Sequence, residues 1–171
     1  MVTAFAARLY WPCWVFATIL TGIVAGFMLG HALILARFLD WLLASGTPAL
    51  GLQYPAFRAT AGRGGLAAYY AVCGLQVIAV FGFFALAVLA RRARGVAAVA
   101  AVGGLWVVVH YASGFGALEA KVLKATGEVD RVTVSRFLGL NVPIHFVHAA
   151  TLTTAFGALL SVPLSALRRK D

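Results

Sequence analysis

Apolar residues along this chain gather into long blocks, with neither the strict alternation of a half-buried strand nor the narrow stripe of a surface helix. Four blocks, at about residues 13–35, 66–90, 96–118 and 143–167, each supply the roughly 20 residues that cross about 30 Å of hydrocarbon at about 1.5 Å per residue. The pattern predicts an all-α fold: an integral membrane four-helix bundle, one domain over residues 1–171, with two longer outer loops. The apolar run after Pro12 is too long for the core of a cleaved signal peptide, so the first span is expected to be retained.

Composition agrees. Hydrophobic residues make up 63% of the 171 and charged residues 11%, against about one half and one quarter in a soluble domain. The net charge of +9 would elsewhere suggest nucleic acid, but the basic residues flank the apolar blocks as interfacial anchors, so no nucleic-acid partner is expected. Their distribution also orients the chain. Arg8, Arg91, Arg92, Arg94, Arg168, Arg169 and Lys170 fall on one side, in a tight turn and two short tails. Arg37, Arg58, Arg63, Lys121, Lys124, Arg131 and Arg136 are spread over the two long connections. Short segments close to the membrane carry the weight, which places both termini in the cytoplasm and suggests a bacterial inner membrane.

Within the outer connections, residues 37–43 either extend the first helix or lie in the interface, and Ser45, Gly46, Thr47 and Pro48 break them. After Gly127, a mixed segment leads to Asn141 and Pro143, read as the cap and first turn of the fourth helix. Thr18, Gly22, Gly26 and Gly30 form a small-residue stripe on the first span, a seam for a neighbouring helix of the bundle or for a second copy.

The candidate chemistry lies in four histidines. Counted inward from the outer ends, His31 is about 6 to 8 Å deep, His110 about 12 Å, His145 about 3 Å and His148 about 8 Å. All four therefore share one leaflet, because alternating span direction brings residues distant in sequence to a common level. Polar side chains at membrane depth are costly unless they face the bundle interior with a partner. Imidazoles converging there suit copper or iron; haem, held by one or two of them, is the alternative. On the second span Tyr69, Cys73 and Gln76 form a polar stripe that either completes a cofactor pocket or makes ordinary interhelical bonds. Cys13 and Cys73 belong to opposite faces, so no disulfide joins them. Glu119 and Tyr111, near the outer end of the third span, either donate or accept protons or, for Glu119 beside Lys121 and Lys124, mark a solvated helix end, the reading favoured here. Trp11, Trp14 and Trp41 read as anchors, with Trp106 deeper.

The layout of four short spans, the stretch Thr21, Gly22, Ile23, Val24, Ala25, Gly26, Phe27, and the string Asn141, Val142, Pro143, Ile144 resemble the anthrone-oxygenase-like family of small membrane proteins. That resemblance implies oxidative chemistry on an aromatic, lipophilic substrate; no catalytic residue is carried over from it. Two functions are therefore expected: a membrane oxidoreductase or oxygenase with a metal on His31, His110, His145 and His148, or a noncatalytic small subunit that binds haem or a chlorin. Partners beyond the lipid bilayer are a lipophilic small molecule and either a homo-oligomer or a larger membrane complex.

Overall fold

A computed structural model describes residues 2–45, 49–125 and 128–167. Among the described residues every regular element is a helix. Four stretches, Ala4–Ala44, Arg63–Leu89, Arg94–Ala112 and Arg131–Leu164, are long and apolar enough to cross a bilayer. The chain is a multi-pass integral membrane bundle. Helices are the solution that lipid imposes on an open chain, since every backbone N–H and C=O must find a partner within its own segment.

In chain order the elements are α1 (Val2–Gly30), a widened π-type turn (His31–Leu35), α2 (Ala36–Ala44), α3 (Ala49–Ala59), α4 (Arg63–Leu89), α5 (Arg94–Gly104), α6 (Trp106–Ala112), α7 (Phe115–Leu123), α8 (Arg131–Leu160) and α9 (Val162–Leu167). The π turn joins α1 to α2 without a break, so residues 37–43 extend the first helix. Helix α1 packs on α4 and α8, and α5 packs on the same two, which closes a four-cornered bundle. Gly103 is required where α5 meets α8, because a Cβ there would overlap that of Ala155. The Arg92 guanidinium lies 5.9 Å from the Tyr10 ring centre, tying the tight turn before α5 to the start of α1 at one end of the bundle.

Three apolar layers fill the interior. Tyr10, Phe83 and Leu159 centre the layer at the end with the tight turn. Val24, Met28, Trp106 and Leu152 lie in the next layer, and Leu39, Phe115, Val122 and Phe137 in the third. The third is built largely from α2, α7 and the first part of α8, where the helices continue beyond the spans. Gly22 of the small-residue stripe packs under Phe156 within the bundle, whereas Gly26 and Gly30 border a groove on the outer surface. Cys13 and Cys73 are both free thiols.

Two helix boundaries differ from the sequence reading. Helix α8 begins at Arg131, not near residue 143, because Asp130 caps it: its carboxylate accepts from the Thr133 N–H at 2.9 Å and the Thr133 hydroxyl at 2.7 Å. Pro143 sits inside the helix, and Asn141 is a buried side chain and not a cap. The third span, expected over 96–118, stops at Ala112. Gly114 adopts a positive φ of 75° there, a conformation other residues strain to reach, and Ser113 Oγ accepts from the Phe115 N–H at 3.3 Å. The proposed break at Gly46, Thr47 and Pro48, the Gly127 connection and the basic tail of Arg168, Arg169 and Lys170 lie outside the described residues.

The cap makes a pH prediction. Hydrogen bonds from the Thr133 side chain and then its backbone, with Lys121 adding charge, hold the Asp130 carboxyl down to about 2 from an ordinary 3.8. A depressed folded value means that the cap's contribution is complete above the ordinary value and is lost as pH falls from about 4 through 2. The protection factor of the Thr133 amide should drop across that window and be low at every pH in Asp130→Ala. Unchanged protection in the variant would assign the helix start to other contacts.

Candidate functional site

Between the second and third apolar layers lies a layer of imidazoles. His31 opens the π turn, His110 lies in the last turn of α6, and His145 and His148 share one face of α8. The His31 and His145 rings stack with centres 3.9 Å apart. His110 and His148 are 5.5 Å apart, and His145 and His148 6.0 Å. The common level expected from span direction is thus also a common place. Phe115 meets both His110 and His145 edge-on, and Trp106 meets His148, so an aromatic ring packs on three of the four imidazoles.

Glu119, for which the sequence favoured a solvated helix end over a proton-transfer role, joins this layer. The turn at Ser113 and Gly114 folds α7 back over the layer and points the carboxyl inward. Its side chain is 24% exposed, with Oε2 3.5 Å from His110 Nε2. Burial works to raise its pKa, but His110 and the other imidazoles outweigh burial, and the group titrates below its ordinary value. One donor atom each from His31, His145 and Glu119 lie within 4.8 Å of one another. The signal in the sequence was the Ser-Gly pair, which ends one helix and lets the next begin at a new angle.

The positions are held by a clamp from α8. The Asn141 amide donates to the Ala36 carbonyl at 3.0 Å and to Asp40 Oδ1 at 2.7 Å, fixing the rod just past the π turn. The Asn141 carbonyl lies 2.7 Å from His145 Nδ1. A carbonyl only accepts, so the neutral ring carries its proton on Nδ1 and leaves Nε2 with a lone pair. This is the orientation that a metal-binding histidine requires.

Other imidazole nitrogens have no partner. His31 Nε2, His110 Nδ1 and both nitrogens of His148 are buried without a hydrogen bond. His148 is only 1% exposed. Each such atom costs on the order of 1 to 3 kcal/mol when nothing satisfies it. The two nitrogens of His148 cannot both accept, since a neutral ring keeps one N–H, so the four offer at most three lone pairs to electron-pair acceptors or proton donors.

The second-span stripe lies beside this cluster and not in it. Gln76 Nε2 donates to Thr21 Oγ1 at 3.4 Å, and Trp106 Nε1 donates to Gln76 Oε1 at 3.2 Å, so Gln76 touches the layer only through the Trp106 ring. Cys73 packs with Met28 and Trp106. Tyr69 stacks on Phe27 at 4.3 Å, and Phe27 in turn faces His31 at 6.2 Å. Tyr111 turns outward and is exposed. Gly26, Phe27, Gly30, His31, Ile34 and Leu35 line an open groove of about 300 Å³ on the outer side of the first span.

The fold and site define a membrane-embedded helical bundle with a largely buried His/Glu layer. Comparison with protein-family models, with curated proteins and with solved structures finds no match.

Asn141→Leu removes the clamp while keeping side-chain volume close. It should lower stability by roughly 1 to 3 kcal/mol, the range for stranding buried hydrogen-bonding partners. Denaturation of the purified protein in detergent measures this; a neutral effect would show that packing alone holds the π turn against α8.

Proposed function

We propose that this protein is a metal-dependent membrane oxidoreductase that acts on a lipophilic substrate. The observation that carries the reading is the approach of His31, His145 and Glu119 donor atoms to within 4.8 Å of one another. These three would hold the ion, each offering one donor atom from a different helical segment. Two histidines with one carboxylate form the donor set of non-haem ferrous oxygenases, which supports iron; the surrounding imidazoles keep copper in play.

Each part of the chain has a defined task in this reading. The Asn141 carbonyl orients His145, the π turn presents His31, and α7 delivers the carboxylate. Phe115 and Trp106 exclude water from the layer. The bound ion supplies the redox chemistry. The groove at Gly26 and Gly30 opens towards lipid and ends on His31, which supports a substrate that arrives from the bilayer. Imidazole centres 3.9 to 6.0 Å apart with aromatic rings between them favour ions over a haem macrocycle. The resemblance to anthrone-oxygenase-like proteins supports the same oxidative class. We place both termini in the cytoplasm of a bacterial cell and the layer in the outer leaflet.

Untagged protein purified in detergent should carry iron or copper at one equivalent or more per chain. His31→Ala and His145→Ala should each lose the ion on this triad. Metal-free wild type that takes up neither ion, or full metal content in every single histidine variant, would overturn the reading; a Soret band in place of metal-ion binding would favour haem.

Topology is checked separately. In a background lacking Cys13 and Cys73, Thr60→Cys should react with an impermeant thiol reagent from outside the cell, and Ala93→Cys should not. Reversed labelling would move the layer to the cytoplasmic leaflet.

A further inference from the structure

The contact between His110 and Glu119 fixes where the histidine keeps its proton. His110 Nε2 stands 3.5 Å from Glu119 Oε2. A carboxylate oxygen only accepts, so an Nε2 lone pair facing it would set two acceptors against each other, whereas an Nε2–H donates into it. The opposite edge of the ring agrees, because Nδ1 is buried with no partner. A neutral ring with its proton on Nδ1 would strand a donor on that edge and oppose two acceptors on the other; with its proton on Nε2 it leaves one unsatisfied acceptor. His110 then has no lone pair on the edge that faces the acid. It stands outside the donor group of His31, His145 and Glu119, although the shared level of the four histidines suggested it as a ligand.

The ring is held in this orientation from three sides. Tyr111 and Phe115 meet it nearly at right angles, with centres 5.1 and 5.4 Å away. Gly116 covers the Nε2 edge: a Cβ there would stand 3.0 Å from His110 Cδ2 and 3.1 Å from Nε2, so a side chain would push the ring off its line to the acid. Glu119 follows three residues later, on the same face of α7 as Gly116. Closing the 3.5 Å separation to the 2.7 to 2.9 Å of a charge-assisted hydrogen bond takes about 0.7 Å of side-chain movement.

We propose that His110 is a positioning residue, whose Nε2–H donates to Oε2 of Glu119 and aims the carboxylate at the ion on His31 and His145. The role rests on the metal-dependent reading above and deepens it. A carboxylate has about four lone-pair sites, so one hydrogen bond fixes its direction and leaves the rest for the ion.

The test uses the untagged full chain in lipid nanodiscs with cupric ion, which binds nitrogen and oxygen sites most tightly of the divalent first-row ions. Chelator competition reads the affinity, and pulsed electron paramagnetic resonance counts the bound imidazoles. His110→Leu removes the donor and should weaken binding by about 10- to 100-fold, the range for losing an outer partner of a metal ligand. His110→Gln carries an amide N–H at the position of Nε2 and should restore most of that loss. His110→Asn, whose amide reaches only the position of Nδ1, should not. Wild type and His110→Gln should bind the ion through the same number of imidazoles. Wild-type affinity in His110→Leu would overturn the positioning role and leave the metal reading standing. One imidazole fewer in His110→Gln would do the same, by making His110 a ligand. No bound cupric ion in wild type would overturn both. If His110→Leu does not fold, the two amide variants decide: His110→Gln binding no more tightly than His110→Asn overturns the role.

Discussion

An unpartnered polar group is costlier in hydrocarbon than anywhere else in a protein, and this single constraint organises the molecule from backbone to site. It makes the spans helical, because only a helix satisfies its own amides in lipid. It also explains the few polar side chains of the interior. Thr21, Gln76 and Trp106 complete one another across three helices. The Asn141 amide nitrogen reaches the Ala36 carbonyl and Asp40 from α8, although the Asn141 Oδ1 is left without a partner. The hydroxyls of Thr18, Thr151 and Thr154 turn back onto carbonyls one turn earlier. Against that background the unsatisfied nitrogens of His31, His110 and His148 stand out, because they lie together.

Much of this was legible in the sequence, and the reason is the simplicity of the bilayer as a solvent. Block length gave four spans, and alternating direction gave the shared level of His31, His110, His145 and His148. Rotation about each helix axis was not legible. Most of each span's circumference is apolar, so the few polar positions do not tell which side meets the site. That is why Tyr69, Cys73 and Gln76 could be read as part of the pocket, whereas Gln76 in fact reaches the layer only through Trp106.

The boundaries were lost for a different reason. Asn141 and Pro143 form a persuasive helix start by local preference, but Asp130 with Thr133 is a stronger one upstream. Once α8 is running, Pro143 costs it one hydrogen bond without ending it. Moving the start outward converts Asn141 from a cap into an interior side chain, and the clamp on α1 exists only because of that shift. The π turn has no sequence signature at all. It is a register adjustment that lets His31 face His145 while α2 continues to pack on α8, a tertiary compromise of the kind often found at functional sites.

The route by which Glu119 joins the site separates it from the histidines. Neutral imidazoles can be carried within spans at moderate cost, whereas a carboxylate at that depth would oppose insertion of the helix that bears it. This chain puts its acid on α7, a short helix outside the spans that docks through Phe115, Val122 and Leu123 onto Phe137 and Leu39. The carboxyl then meets the layer from a helix that lies outside the spans. The acid thus meets the imidazoles from α7, whereas the groove at Gly26 and Gly30 meets His31 from the side of the first span, so the layer is bordered from two different directions.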